Sequence, residues 1–205
     1  MLSGDAPYDG GMTSAPSTPP SSVARAAWLG PVLRAVPAAI SGLIITFTAN
    51  HSPTLGLVML GVFGLGSALV LAVSSVPLGA GEPLRSLQLG LAIIAGVAGA
   101  VALAVVTLMG AGLAMLLLVL GGYAVVAGGL ELVWGIRHRG RCPFARDAMV
   151  IGAATLALAI VLALVGDSVS AVGFFGAYAV MLAIFLLIAG LSLKWSTPMK
   201  ESTAS

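Results

Sequence analysis

The stretch GLAMLLLVLGGYAVVAGGLELVWGIRHRGR, residues 112–141, decides the fold. Over residues 112–136 its only charged side chain is Glu131. Arg137, His138, Arg139 and Arg141 then follow at once. About 20 apolar residues in a helix cross the ~30 Å hydrocarbon layer of a bilayer. The stretch therefore reads as a membrane span that ends in a basic loop. A barrel strand would instead show an alternating segment of about ten residues.

Five more stretches read the same way. The six expected spans lie at about 32–50, 54–76, 87–108, 112–136, 148–166 and 171–195, in one membrane domain over 25–196. Span 1 is the least apolar, with Arg34 near its start and Pro37 in its first turn, where proline is tolerated. The 205 residues are 59% hydrophobic and 8% charged. Soluble domains carry about 25% charged residues, so this composition excludes an ordinary soluble globule. The lipid bilayer is the expected surrounding, and the fold class is an all-α membrane protein. Residues 1–24, rich in Ser, Pro, Gly and Thr, predict a disordered tail. They lack the basic start and apolar run of a signal peptide. Residues 197–205 form a second short tail.

The connections alternate in character. NHSP, MGAG and DSVS contain no Lys or Arg, whereas PLGAGEPLR and RHRGRCPFARD are longer and basic. The spans therefore pair as three tandem helical hairpins. All nine Lys and Arg fall on one side, which the positive-inside rule assigns to the cytoplasm together with both termini. Trp28, Trp134 and Trp195 mark the same interface. Arg137, Arg139, Arg141 and Arg146 are thus topology determinants, with anionic lipid headgroups as a secondary role. Cations confined to membrane edges argue against nucleic acid as a partner.

The second helix of each hairpin repeats a pattern. LGGYAVVAGG (120–129) parallels FGAYAVMLAI (175–184), with FGLGSALVLA (63–72) a weaker copy. This aligns Gly64, Gly121 and Gly176, and Tyr123 with Tyr178. Small residues let helix backbones approach in lipid. The predicted packing faces are Ala92, Gly96 and Ala100 on span 3, Ala153 and Ala157 on span 5, and Gly173 and Ala177 on span 6.

WLGPVLRAVPAAISGLIITFTANHSPTLGLVMLGVFGLGSALVLA resembles the first hairpin of the HdeD-like membrane proteins. The features that carry it are Trp28, Gly42, Pro53, Gly61, Gly64 and Gly66. LVLGGYAVVAGGLELVWGIRHR is similar to that family's second-helix pattern, and FFGAYAVMLAIFLLIAGLSLKW to its last helix. The resemblance covers roughly residues 28–195. It implies six spans in a bacterial inner membrane and a link to acid resistance. The Ser/Pro-rich tail departs from the compact family pattern.

Little else points to chemistry. The single cysteine, Cys142, excludes an intrachain disulfide. No metal-binding, phosphate-binding or dinucleotide motif is present, so neither a metal nor a cofactor is expected, and no catalytic residue is assigned. Cys142 and His138 lack a third, orienting group. The candidate functional residues are Glu131, Tyr123 and His138. Glu131 lies about 9 Å along the helix from Arg137, in the third of the layer next to the basic loop. One reading makes it an edge carboxylate that pairs with an Arg or His. The other makes it a protonatable switch. His138, seven positions on, shares roughly its face, and Tyr123 lies two turns deeper. On the opposite side, His51 and Asp167 read as solvated turn residues. The expected function is a non-enzymatic membrane protein in acid or envelope stress tolerance. A small transporter or channel, or a structural partner of other membrane proteins, is the alternative, with self-association also open.

Overall fold

A computed structural model describes residues 28–79, 81–142 and 144–195. The expected tails, with Arg25 and Lys200, lie outside the described residues. Among the described residues there are six long helices and no strand: α1 (Leu29–Phe47), α2 (Pro53–Ser75), α3 (Pro83–Ala104), α4 (Leu113–Arg137), α5 (Ala145–Leu164) and α6 (Ser168–Trp195). One turn of π-helix, Val105–Met109, extends α3. All six are long and apolar enough to cross a membrane. The chain is an all-α, multi-pass membrane protein built of three consecutive helical hairpins.

Local chemistry sets the helix ends. Ser52 caps α2 by accepting from the Leu55 amide at 3.3 Å, and Pro53 takes the first helical position, where its missing N–H removes no bond. Pro83 opens α3 in the same way, four residues before the expected start. Gly110, at φ 80°, ends the π turn in a conformation that disfavours a side chain. Helix α1 begins at Leu29, so Pro37 sits in its third turn rather than its first. The ring is accommodated because Gly66 of α2 packs against it: a Cβ on Gly66 would stand 2.7 Å from Pro37 Cβ.

The tightest helix pairs are α2–α3, α4–α5 and α1–α6, so each seam joins one hairpin to the next. The arms within a hairpin pack more loosely. The three seams close the hairpins into a ring, with the first helix locked to the last. Glycine makes each seam. A Cβ on Gly64 would stand 2.5 Å from Ala95 O of α3, one on Gly152 2.5 Å from the Leu132 amide of α4, and one on Gly42 2.8 Å from the Val180 amide of α6. No real side chain fits those distances. Helices α2, α4 and α6 converge inside the ring, where Phe63 meets Tyr123 and Phe175 edge-on at 5.8 and 5.9 Å. The Ser41 hydroxyl adds a buried tie by donating to Met59 O at 3.2 Å.

Several predicted packing faces are shifted. On α3 the buried row is Ala92, Ala95, Gly99 and Ala102, while Ala100 is exposed. On α5 Gly152 and Thr155 face the seam, and Ala153 and Ala157 point outward. On α6 Ala177 is exposed and nothing lies near Gly173. These helices are apolar all round, so their sequence does not mark which stripe meets protein and which meets lipid. Of the glycines aligned in the repeat, Gly64 and Gly176 sit in seams, while Gly121 has open space beside it.

The seams predict a sharp contrast. Gly64→Ala and Gly152→Ala overpack a backbone contact and lower stability by about 1–3 kcal/mol. Gly121→Ala is neutral or stabilising, because the space is open and alanine favours the helix. Thermal unfolding of the purified protein in detergent separates the two classes, and equal effects at all three sites would refute the seam assignment.

Candidate functional site

The six helices alternate in direction, so the start of α1, α3 and α5 and the end of α2, α4 and α6 share one face. Every Lys and Arg of the described residues lies toward that face: Arg34, Arg85, Arg137, Arg139, Arg141, Arg146 and Lys194. Arg137, Arg139, Arg141 and Arg146 are exposed around the α4–α5 loop. Lys194 and Arg34 are drawn into contacts, whereas the buried Nε of Arg85 has no hydrogen-bond partner among the described residues. Lys194 sits 4.9 Å from the Trp28 ring and pins the end of α6 to the start of α1. The Trp134 indole N–H donates to Pro83 O at 3.1 Å and ties α4 to the start of α3.

Glu131 is buried, and its partner is Arg34 of α1, 97 positions away. Arg34 Nη2 donates to Glu131 Oε1 at 2.6 Å, with the two side chains 17% and 3% exposed. The expectation of a pairing at the basic edge finds an arginine, but not one of the loop arginines next in sequence. A helix that ends in Arg137 points its last residues outward, whereas Glu131 faces the ring interior. Among the described residues, the cation set back from the face is Arg34, in the second turn of α1. In a low-dielectric interior such a pair is held by its geometry and by the lack of any alternative partner.

His138 does not join Glu131. Its ring stacks on Trp134 at 4.4 Å, and its Nδ1 lies 2.9 Å from Trp134 O, so it folds back over the end of α4. Tyr123 contributes its ring to the axial aromatic cluster, and its hydroxyl makes no hydrogen bond among the described residues. The interhelical tyrosine bond belongs to its repeat counterpart: Tyr178 OH lies 2.8 Å from Thr155 Oγ1. Thr155 donates its own proton to Ile151 O at 2.8 Å, so Tyr178 is the donor to Thr155. Both tyrosines lie within electrostatic range of the Arg34–Glu131 pair.

Sequence reasoning passed over two polar residues near the pair. Gln88 of α3 and Asp147 of α5 line, with Arg34 and Glu131, a cavity of about 330 Å³ at the Arg-rich end of the ring. Gln88 was hidden as one amide in an apolar run, and Asp147 as one more charge in a charged loop. On the opposite face Asp167 accepts from the Ser170 amide at 2.8 Å and caps α6. That bond holds its carboxyl below the ordinary carboxylate range. The cap is therefore charged and intact above the ordinary value and is lost only as pH falls through the lowered one. His51 lies in the α1–α2 turn on the same face.

No group of three or more His, Cys, Asp and Glu able to hold a metal forms among the described residues. No protein-family model, curated protein or solved structure matches the chain.

The ion pair makes a testable demand. Glu131→Gln or Arg34→Met leaves its partner buried without a counter-charge and destabilises the protein by about 3–5 kcal/mol. Replacing both, as Arg34→Met with Glu131→Leu, recovers most of that loss. Unfolding of the purified variants in detergent reads the cycle, and a double variant as unstable as the singles would mean the two residues do not act as a pair.

Proposed function

We propose that this chain is a non-enzymatic protein of the HdeD-like kind in a bacterial inner membrane, with both termini in the cytoplasm, and that it serves acid or envelope stress tolerance. The observation that carries the reading is the buried Arg34–Glu131 pair. The chain's one carboxylate deep in a span is matched by a guanidinium at hydrogen-bond distance. One of the two Glu131 carboxylate oxygens, Oε1, accepts from Arg34 Nη2. A paired carboxylate in a ring closed by glycine seams supports a sealed bundle that limits proton leak. The apolar faces turned outward, including Leu69, Val73, Ile93 and Ile184, suit lipid and neighbouring membrane proteins alike. Ion-coupled transport paths commonly carry several intramembrane polar groups, so a small transporter is the second reading, favoured only by the cavity that reaches the pair.

Orientation is open to direct test. In this reading Cys142, in the α4–α5 loop, reacts with a membrane-impermeant maleimide in inverted vesicles and stays unlabelled in intact cells. Labelling from the outside alone would reverse the topology.

The function is tested by an acid shift. A deletion strain is expected to show a lower cytoplasmic pH and poorer survival than its parent. Native protein restores both, and Glu131→Gln, expressed and inserted to the same level, does not. An unchanged deletion strain would end the acid-tolerance reading, and substrate flux dependent on Glu131 would replace it with transport.

A further inference from the structure

The cavity beside the ion pair has the make-up of a ligand site. Its volume of about 330 Å³ falls at the lower end of the range for small-molecule pockets. Its walls are apolar, with Leu71, Leu87, Ile151 and Phe185 contributed by four different helices. Leu29, Pro31, Leu78 and Phe144, all near helix ends, place it toward the Arg-rich face. A few polar groups converge on this apolar box, which is how such pockets orient what they bind.

The sign of those groups selects the ligand. The ionisable side chains on the wall are Arg34, Glu131 and Asp147. Arg34 is engaged with Glu131, which leaves the wall one net negative charge, on Asp147. Gln88 adds a buried carbonyl oxygen, Oε1, that has no hydrogen-bond partner. A buried acceptor without a donor is costly, and an N–H supplied by a ligand relieves it. Arg146, whose charge bears on Asp147, lines a separate cavity with Arg139. Among the described residues on the wall of this cavity Arg34 is the one cation, and it is paired with Glu131. An anionic ligand would meet a carboxylate and an unpartnered amide oxygen on this wall.

We infer that this cavity binds a small apolar molecule bearing one ammonium group, with Asp147 and Gln88 Oε1 accepting its N–H bonds and the leucine-lined wall taking its hydrocarbon body. The inference is independent of acid tolerance and stands or falls on binding alone.

The experiment uses three probes with one body and different charge: 1-naphthylmethylammonium, 1-naphthylmethanol and 1-naphthylacetate. Each is titrated against the full chain in phosphatidylcholine nanodiscs, with binding to empty discs subtracted. The ammonium is expected to bind saturably at one per chain, roughly tenfold tighter than the alcohol, which is the worth of one charged hydrogen bond. The acetate is expected to bind weakest. Asp147→Asn brings the ammonium to the level of the alcohol, and if that variant does not fold, Gln88→Leu takes its place with the same expectation. The charge series on the native protein needs no variant. Absence of saturable binding, equal binding of all three probes, or preference for the acetate overturns the inference. So does a preference for the ammonium that survives the substitution.

Discussion

Close approach of helix backbones at glycine is the constraint on which the rest of this structure depends. In lipid the hydrophobic effect does not drive helices together, since the alternative surroundings are as apolar as leucine. What remains is van der Waals contact, and that grows as backbones approach. The seams α2–α3, α4–α5 and α1–α6 supply it through Gly64 and Gly99, Gly128 and Gly152, and Gly42 and Gly190. Because each seam lies between hairpins, the three hairpins cannot separate without breaking one. The ring places α2, α4 and α6 inside and brings Phe63, Tyr123 and Phe175 together.

Ring closure explains the charged site. With α1 seated against α6, the Arg34 side chain reaches across to Glu131 of α4. Among the described residues neither has another charged side chain within bonding distance. Their pairing carries little net energy relative to an apolar substitute, since desolvation opposes it. Its structural weight lies in register: a slipped α1 would bury a lone guanidinium and a lone carboxylate. The cavity follows from the same geometry. The loosely packed arms within each hairpin leave space at the Arg-rich end, and Gln88 and Asp147 give that space a polar wall.

The surface chemistry separates into three zones. Exposed arginines of the α4–α5 loop cluster at one end. Tryptophans at the same level anchor helix ends through Lys194 and Pro83. At the opposite end the turns are short and carry little charge, with Asp167 committed to capping α6. This asymmetry distinguishes the two ends of the helix bundle among the described residues.

The sequence by itself determined the number of helices, their approximate ends, the hairpin order and the face that carries the cations. Each follows from local quantities: apolar run length, proline and glycine at turns, and the positions of nine charges. It also singled out Glu131, because a carboxylate within a span is costly wherever it lies. Only the tertiary structure decided its partner. Arg34 and the loop arginines were equivalent on paper, and 97 residues of chain carry no record of which helix lies opposite. The seam faces were equally silent, as Ala153 and Gly152 show. In a helix apolar all round, the stripe that meets protein differs from the stripe that meets lipid by shape alone, and shape complementarity exists only once both helices are in place.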